Sequence, residues 1–353
     1  MSLSAFDHPI LSGLFGDPEL AGLLSAQADV KAMVAFEIAL ASAQAACDVI
    51  PPADAEAIAR LETAYIPDWD MLNSGMARDG VVAPELVRQM RRMLGEQAAS
   101  SLHFGATSQD VIDTSLVLRL KSITAILAAR IAGIETTLER LSMRFGDRSL
   151  MARTRMQDAI VITTANRLAD WAAPFVRHRQ RLEEIEKRLL VVQYGGAVGV
   201  LDKLGGEGAR VAIGLAGRLG LGVTEKSWHN QRDSIVEFAG WLSLVSGSLG
   251  KIGQDIALMA QNAMGDIALA GGGGSSAMPH KSNPVAAETL VTLARYVAGN
   301  SGTMAQALVH EQERSGAAWP LEWLVMPQML LATGSSLLLG ARLLDSIESV
   351  GRD

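Results

Sequence analysis

The chain has 353 residues and a formal charge of −7. No basic run or stripe is present, so nothing points to nucleic acid. Apolar residues make up 49% and aromatic ones only 5%, which implies an aliphatic core rich in Ala, Leu, Ile, Val and Met, a mixture that favours helices. The single cysteine, Cys47, excludes an internal disulfide.

The N-terminus, MSLSAFDHPILSGLFGD, has no basic stretch followed by an apolar core, so it does not read as a signal peptide. Residues 1–105 read as short helices broken by prolines and glycines, forming a smaller N-terminal helical domain. Within it PPADAEAIARLETA (Pro51 to Ala64) opens a helix, with proline where a missing N–H costs least. From about Asp110 the segments lengthen into a central bundle over residues 106–345. Leu168, Phe175, Leu182 and Leu189 repeat every seven residues beside Trp171, Ile185 and Val192, with His178 as the polar exception. Ile235, Leu242, Leu249, Ile256 and Ala263 repeat likewise, beside Phe238, Val245, Ile252 and Met259. Such sevens predict long helices packed at shallow angles, within one chain or between subunits. No strand-like alternation of useful length is evident.

The uncharged run Trp323 to Ala341, about 19 residues, is long enough to span a bilayer. It contains Pro327, Gln328 and the pair Ser335 and Ser336, so it reads as a buried helix in a cytoplasmic protein without membrane contact. Residues 346–353 read as a tail.

The segment Gly271 to Pro284, GGGGSSAMPHKSNP, places four glycines before a dense polar stretch. A glycine run after a long apolar helix predicts the helix stop and a mobile loop. Ser, Lys and Asn on such a loop suit ligand closure better than a plain linker. It is not a phosphate-cradling loop, because His280 precedes Lys281 where glycine is needed. HEQER at His310 lacks the second histidine of a zinc protease, and the six histidines show no ligand spacing. Neither metal nor cofactor is expected.

These residues carry a resemblance. GSSAMPHKSNP (Gly274 to Pro284) resembles the signature of the fumarase/aspartase superfamily. HFGATSQDVIDT (His103 to Thr114) and ARTRMQDA (Ala152 to Ala159) resemble its first and second conserved regions. GGAVGVLDKLGGEG, WHNQRDSIVEFA and HEQERSGAAWPLEW further resemble the 3-carboxy-cis,cis-muconate cycloisomerase branch. The resemblance implies an all-α fold with a long central helical bundle and a curtailed C-terminal part after about Gly340. It implies a homotetramer whose sites combine three regions from different subunits, acting on a small polycarboxylate. It implies closure of a carboxymuconate to its lactone. The competing readings are another superfamily lyase, such as adenylosuccinate lyase, and a non-catalytic, crystallin-like structural protein.

By position in the signature, Ser275 matches the catalytic serine, with Ser276 its close competitor. Lys281 and Asn283 would stabilise or orient the substrate carboxylate. Thr107 and Ser108 stand before a helix, where hydroxyls and free amides suit a carboxylate. Thr154 and Gln157 occupy matching positions of the second region, and Arg314 one used for an anionic group. His103, His229 and Trp319 would line the pocket. Asp110 and Asp113 are expected to cap or pair with basic residues. The departure from the family pattern is Arg155, where fumarases and nucleotide-related lyases carry histidine.

Overall fold

The structure is a computed structural model that describes residues 4–274, 278 and 282–353. The chain opens with α1 (Ser12–Phe15), α2 (Pro18–Leu23), α3 (Ala26–Ala45), α4 (Pro52–Ala59), α5 (Leu61–Ala64), α6 (Trp69–Asp79), α7 (Ala83–Arg92) and α8 (Glu96–Ser101). Their starts follow local chemistry. Asp17, Ser25 and Asp68 each accept a backbone N–H from the first turn of α2, α3 and α6. Pro52 takes the first position of α4 as the sequence predicts.

The long elements follow: α9 (Ser108–Phe145), strands β1 (Ser149–Thr154) and β2 (Gln157–Thr163), then α10 (Thr164–Leu189), α11 (Gly208–Leu219) and α12 (Asp233–Met259). After β3 (Ile267–Leu269) come α13 (Val285–Ala305), α14 (Ala318–Asp345) and β4 (Ile347–Val350). Helices α9, α10, α12, α13 and α14 pack side by side around one aliphatic core. A second core joins the N-terminal helices to residues 192–221, with Phe36, Leu40, Met90, Tyr194 and Leu215 at its centre.

Both heptad series fall on helices, α10 and α12, and their apolar members there are buried. Val192 lies beyond the end of α10, and Ala263 beyond the end of α12. These stripes are covered within the chain, by α9, α10, α13 and α14, so they are intramolecular seams. The α12–α13 approach is close enough to demand glycine: a Cβ on Gly253 would lie 2.5 Å from the Ala287 carbonyl oxygen.

Helix α14 is long and apolar enough to cross a membrane, yet 67% of its most apolar window is buried in the bundle. Its polar residues are used there. Thr333 meets Ser246 at 3.0 Å, and the Ser336 hydroxyl donates to the Ala332 carbonyl at 2.8 Å.

Three sequence expectations are corrected. Helix α12 ends at Met259, and strand β3 stands between it and the glycine run. Strands are present: β1 and β2 form an antiparallel hairpin, Ser149 opposite Thr163, and β3 pairs with β4. The hairpin turn is Arg155–Met156, both left-handed (φ 51° and 67°), the geometry of a two-residue turn that usually recruits Asn or Gly. Finally, residues 347–350 of the expected tail are strand β4, with Ile347 and Val350 buried.

His178 is buried in the α10–α12 seam. Its Nε2 lies 2.8 Å from the Ser248 hydroxyl, its backbone carbonyl accepts from the Trp241 indole, and its Nδ1 has no partner. Burial first, then the charges of Arg181 and Arg177, push its pKa down to about 4. The unfolded chain protonates this ring near pH 6.5. Stability is therefore lost as pH falls from about 6.5 towards 4, the window in which only the unfolded state gains the proton. Melting temperatures across this range should fall more steeply for the wild type than for His178→Phe. Parallel curves would show that His178 does not drive the loss.

Candidate active site

The start of α9 is built around one carboxylate. Asp110 is fully buried. It accepts the backbone N–H of Thr107 at 3.0 Å and those of Gly195 and Gly196 at 2.9 Å each. The Gln193 amide donates to it at 3.3 Å, and His229 Nε2 lies 2.7 Å away. Gly196 has φ 66°, and a Cβ there would lie 2.9 Å from the Gly105 carbonyl oxygen. Asp110 therefore ties the first turn of α9 to the 193–196 turn, which is the capping role its position predicts.

On the outer side of this hub, Arg314 Nη1 donates to Thr107 Oγ1 at 3.0 Å, and Nη2 to the Ala197 carbonyl at 2.8 Å. Ser108 is half-buried beside them. An exposed guanidinium and two hydroxyls at a helix start make a donor set matched to a carboxylate. His103 is engaged differently: its Nδ1 lies 2.6 Å from buried Glu37. Burial opposes a charge on this ring, but the Glu37 carboxylate outweighs it and raises the His103 pKa.

Beneath Thr107 and Arg314 lies a set that sequence reasoning did not assign. Arg232 is 1% exposed. Its guanidinium donates to both Asp113 oxygens (2.7 and 3.1 Å) and both Glu322 oxygens (2.7 and 2.5 Å). The Trp319 indole N–H donates to Asp113 at 2.9 Å, and the Gln109 amide joins Asp113 to the His229 carbonyl. Burial raises the Glu322 pKa, with Arg232 pulling against it. Asp113 pairs with a basic residue as expected. His229 and Trp319 are hydrogen-bonded inside the wall, at 2% and 4% exposure.

The second region sits elsewhere. Thr154 and Gln157 face each other across the β1–β2 turn and are exposed. Arg155 at the tip makes no ion pair or hydrogen bond among the described residues; the neighbouring aspartates, Asp158 and Asp266, are paired by Arg153. Asn283 stands nearby at the stem of the signature loop, where its backbone pairs with Gly273, 2.9 Å in each direction. It lines a cleft of about 480 Å³ with Arg342, a cation not singled out from sequence. Arg155 lines a separate cleft of about 400 Å³ beside the end of α12. Ser275, Ser276 and Lys281 lie outside the described residues.

Helix α9 separates the two sets. With 38 residues rising roughly 1.5 Å each, it is about 57 Å long. One chain thus gathers Thr107, Ser108 and Arg314 at one end, with Thr154, Arg155, Gln157 and Asn283 at the other. Among the described residues, no group of three or more His, Cys, Asp or Glu is placed to hold a metal ion.

The fold is the helical bundle of the lyase family that the sequence matches. Residues 16–299 match the family described as Lyase, and the chain belongs to it, within the fumarase/aspartase superfamily. It is 38% identical, over 97% of its length and 76% of the relative's, to a 3-carboxy-cis,cis-muconate cycloisomerase of Pseudomonas aeruginosa. It is 31% identical, over 93% of its length and 73% of the relative's, to an N-acetyl-S-(2-succino)cysteine lyase of Dickeya dadantii. The crystal structure of a 3-carboxy-cis,cis-muconate lactonizing enzyme from Pseudomonas putida superposes with a TM-score of 0.90 at 36% identity, covering 96% of this chain and 77% of that one.

Proposed function

We propose that this chain is a cycloisomerase closing 3-carboxy-cis,cis-muconate to 4-carboxymuconolactone, in protocatechuate catabolism by the β-ketoadipate route. The observation that carries the reading is the likeness to several cycloisomerases at 35–38% identity, each over at least 93% of this chain. Arg155 at the exposed hairpin tip agrees with it. In the reaction, one substrate carboxylate oxygen bonds to the far carbon of a double bond. The displaced electron pair moves to the carbon beside the other carboxylate, which takes up a proton.

This chemistry does not need the histidine that Arg155 replaces. In the reverse direction the leaving group is a carboxylate, whose conjugate acid has a pKa of about 4, so it departs unprotonated near neutral pH. Arginine cannot deliver a proton there, whereas lyases that expel an amine or hydroxide profit from an acid. The single proton transfer falls to Ser275, with Ser276 its competitor. Lys281, Asn283 and loop amides stabilise the doubly charged intermediate. Thr107, Ser108, Thr154, Gln157, Arg155, Arg314 and His103 hold the substrate's anionic groups.

The same reading makes the active particle a cytoplasmic homotetramer. Residues some tens of ångströms apart in one chain serve one site only if different subunits supply them.

A substrate panel tests the function. Carboxymuconate absorbance should disappear with the purified protein, while adenylosuccinate, argininosuccinate, malate and a succinylated cysteine stay intact. Efficient cleavage of adenylosuccinate or of the succinylated thiol, with muconate absorbance unchanged, would overturn it.

A further inference from the structure

Buried ion pairs are poor stabilisers, because desolvation cancels most of the attraction; an apolar set of equal volume often does as well. Arg232 holds two carboxylates in a space with almost no solvent access, and Trp319 and Gln109 satisfy further lone pairs of Asp113. Stability alone does not account for such a set. Its connections suggest another use. Asp113 stands in the second turn of α9, a few residues after Thr107 and Ser108. Trp319 and Glu322 open α14, directly after the segment that carries Arg314. The loop bearing Arg232 also carries His229, which reaches Asp110, and Trp228, whose ring lies 4.8 Å from the Arg232 guanidinium carbon. One planar guanidinium therefore fixes the start of α14 against the start of α9.

We propose that Arg232 is a positioning residue for substrate binding: clamped between Asp113 and Glu322, it holds Arg314 in reach of Thr107, so that guanidinium and hydroxyl meet one substrate carboxylate together. The assignment rests on the function proposed above. Arg232 touches no substrate itself. Only a planar fork bonds two carboxylates bidentately at once; the point charge of lysine does not. Loosening the clamp lets Arg314 and Thr107 drift apart, and misplacement by about 1 Å costs on the order of 100-fold.

The test compares steady-state constants for carboxymuconate in the wild type, Arg232→Lys, Arg314→Ala and the double variant, with melting temperatures alongside. Arg232→Lys should raise KM about 10- to 100-fold with a smaller change in kcat. The double variant should be no worse than Arg314→Ala, because Arg232 acts through Arg314. Trp319→Phe, which removes only the indole N–H, gives the same cycle in milder form and replaces Arg232→Lys if that chain does not fold. Additive losses, or a lower melting temperature with KM unchanged, would overturn the inference while the function stands. An inactive wild type would sink the function, and the inference with it.

Discussion

Ser275→Ala is expected to lower kcat by roughly 100- to 10,000-fold, the usual cost of removing a group that moves a proton in the transition state. Lactone closure has one such transfer, at the carbon beside the uncyclised carboxylate, and the proposed chemistry supplies no second acid or base to share it. In closure the serine hydroxyl gives its proton to that carbon, and in water it is far too weak an acid to do so. It works only where nearby amides and a cation, the part proposed for Lys281, stabilise the alkoxide left behind, away from bulk water. The substitution removes one oxygen atom, so circular dichroism and melting temperature should be unchanged. Ser276→Ala is the matched control. Loss of turnover in that variant with Ser275→Ala active would move the role by one residue, and full activity in both would remove the loop hydroxyls from the proton transfer.

Periodicity makes part of this fold legible in the sequence, and long-range pairing hides the rest. Helices α10 and α12 were legible because their buried positions recur every seven residues, and a helix must then turn one stripe inward. Which partner covers those stripes was not legible, and here it is the same chain. The β1–β2 hairpin escaped because β2 is almost wholly exposed, so no burial alternation marks it, and its left-handed Arg155–Met156 turn lacks the residues that usually announce one. The roles of Asp110 and Asp113 were readable as capping and pairing. The Arg232 clamp was not, because its partners lie 119 and 90 residues away. A hint existed: charged residues such as Asp113 and Glu322 on helices otherwise built for an aliphatic core are seldom buried without a partner.

Mixing two impaired variants should raise activity well above that of either alone, and this is the largest qualitative effect the shared-site reading makes. Ser275→Ala disables the signature loop, whose stem at Gly273 and Asn283 lies at one end of the bundle. Arg314→Ala disables the carboxylate donors at the other end, beside Thr107. Helix α12, whose 27 residues run from beside Arg232 to the cleft that Asn283 lines, keeps these ends about 40 Å apart, far beyond the length of a substrate with three carboxylates. Each variant alone forms a particle in which every site carries one defect. Chains unfolded together and refolded as hybrids would create some sites with a wild-type loop from one subunit and a wild-type Arg314 from another. With random equal mixing, each component is intact half the time, so about a quarter of the sites regain both in a symmetric assembly. Recovery should appear only after the subunits exchange, and sedimentation should show a particle of about four chains. A mixture no more active than its components after proven exchange, or a fully active monomer, would mean that each chain completes its own site, which the separation along the bundle would then leave without an explanation.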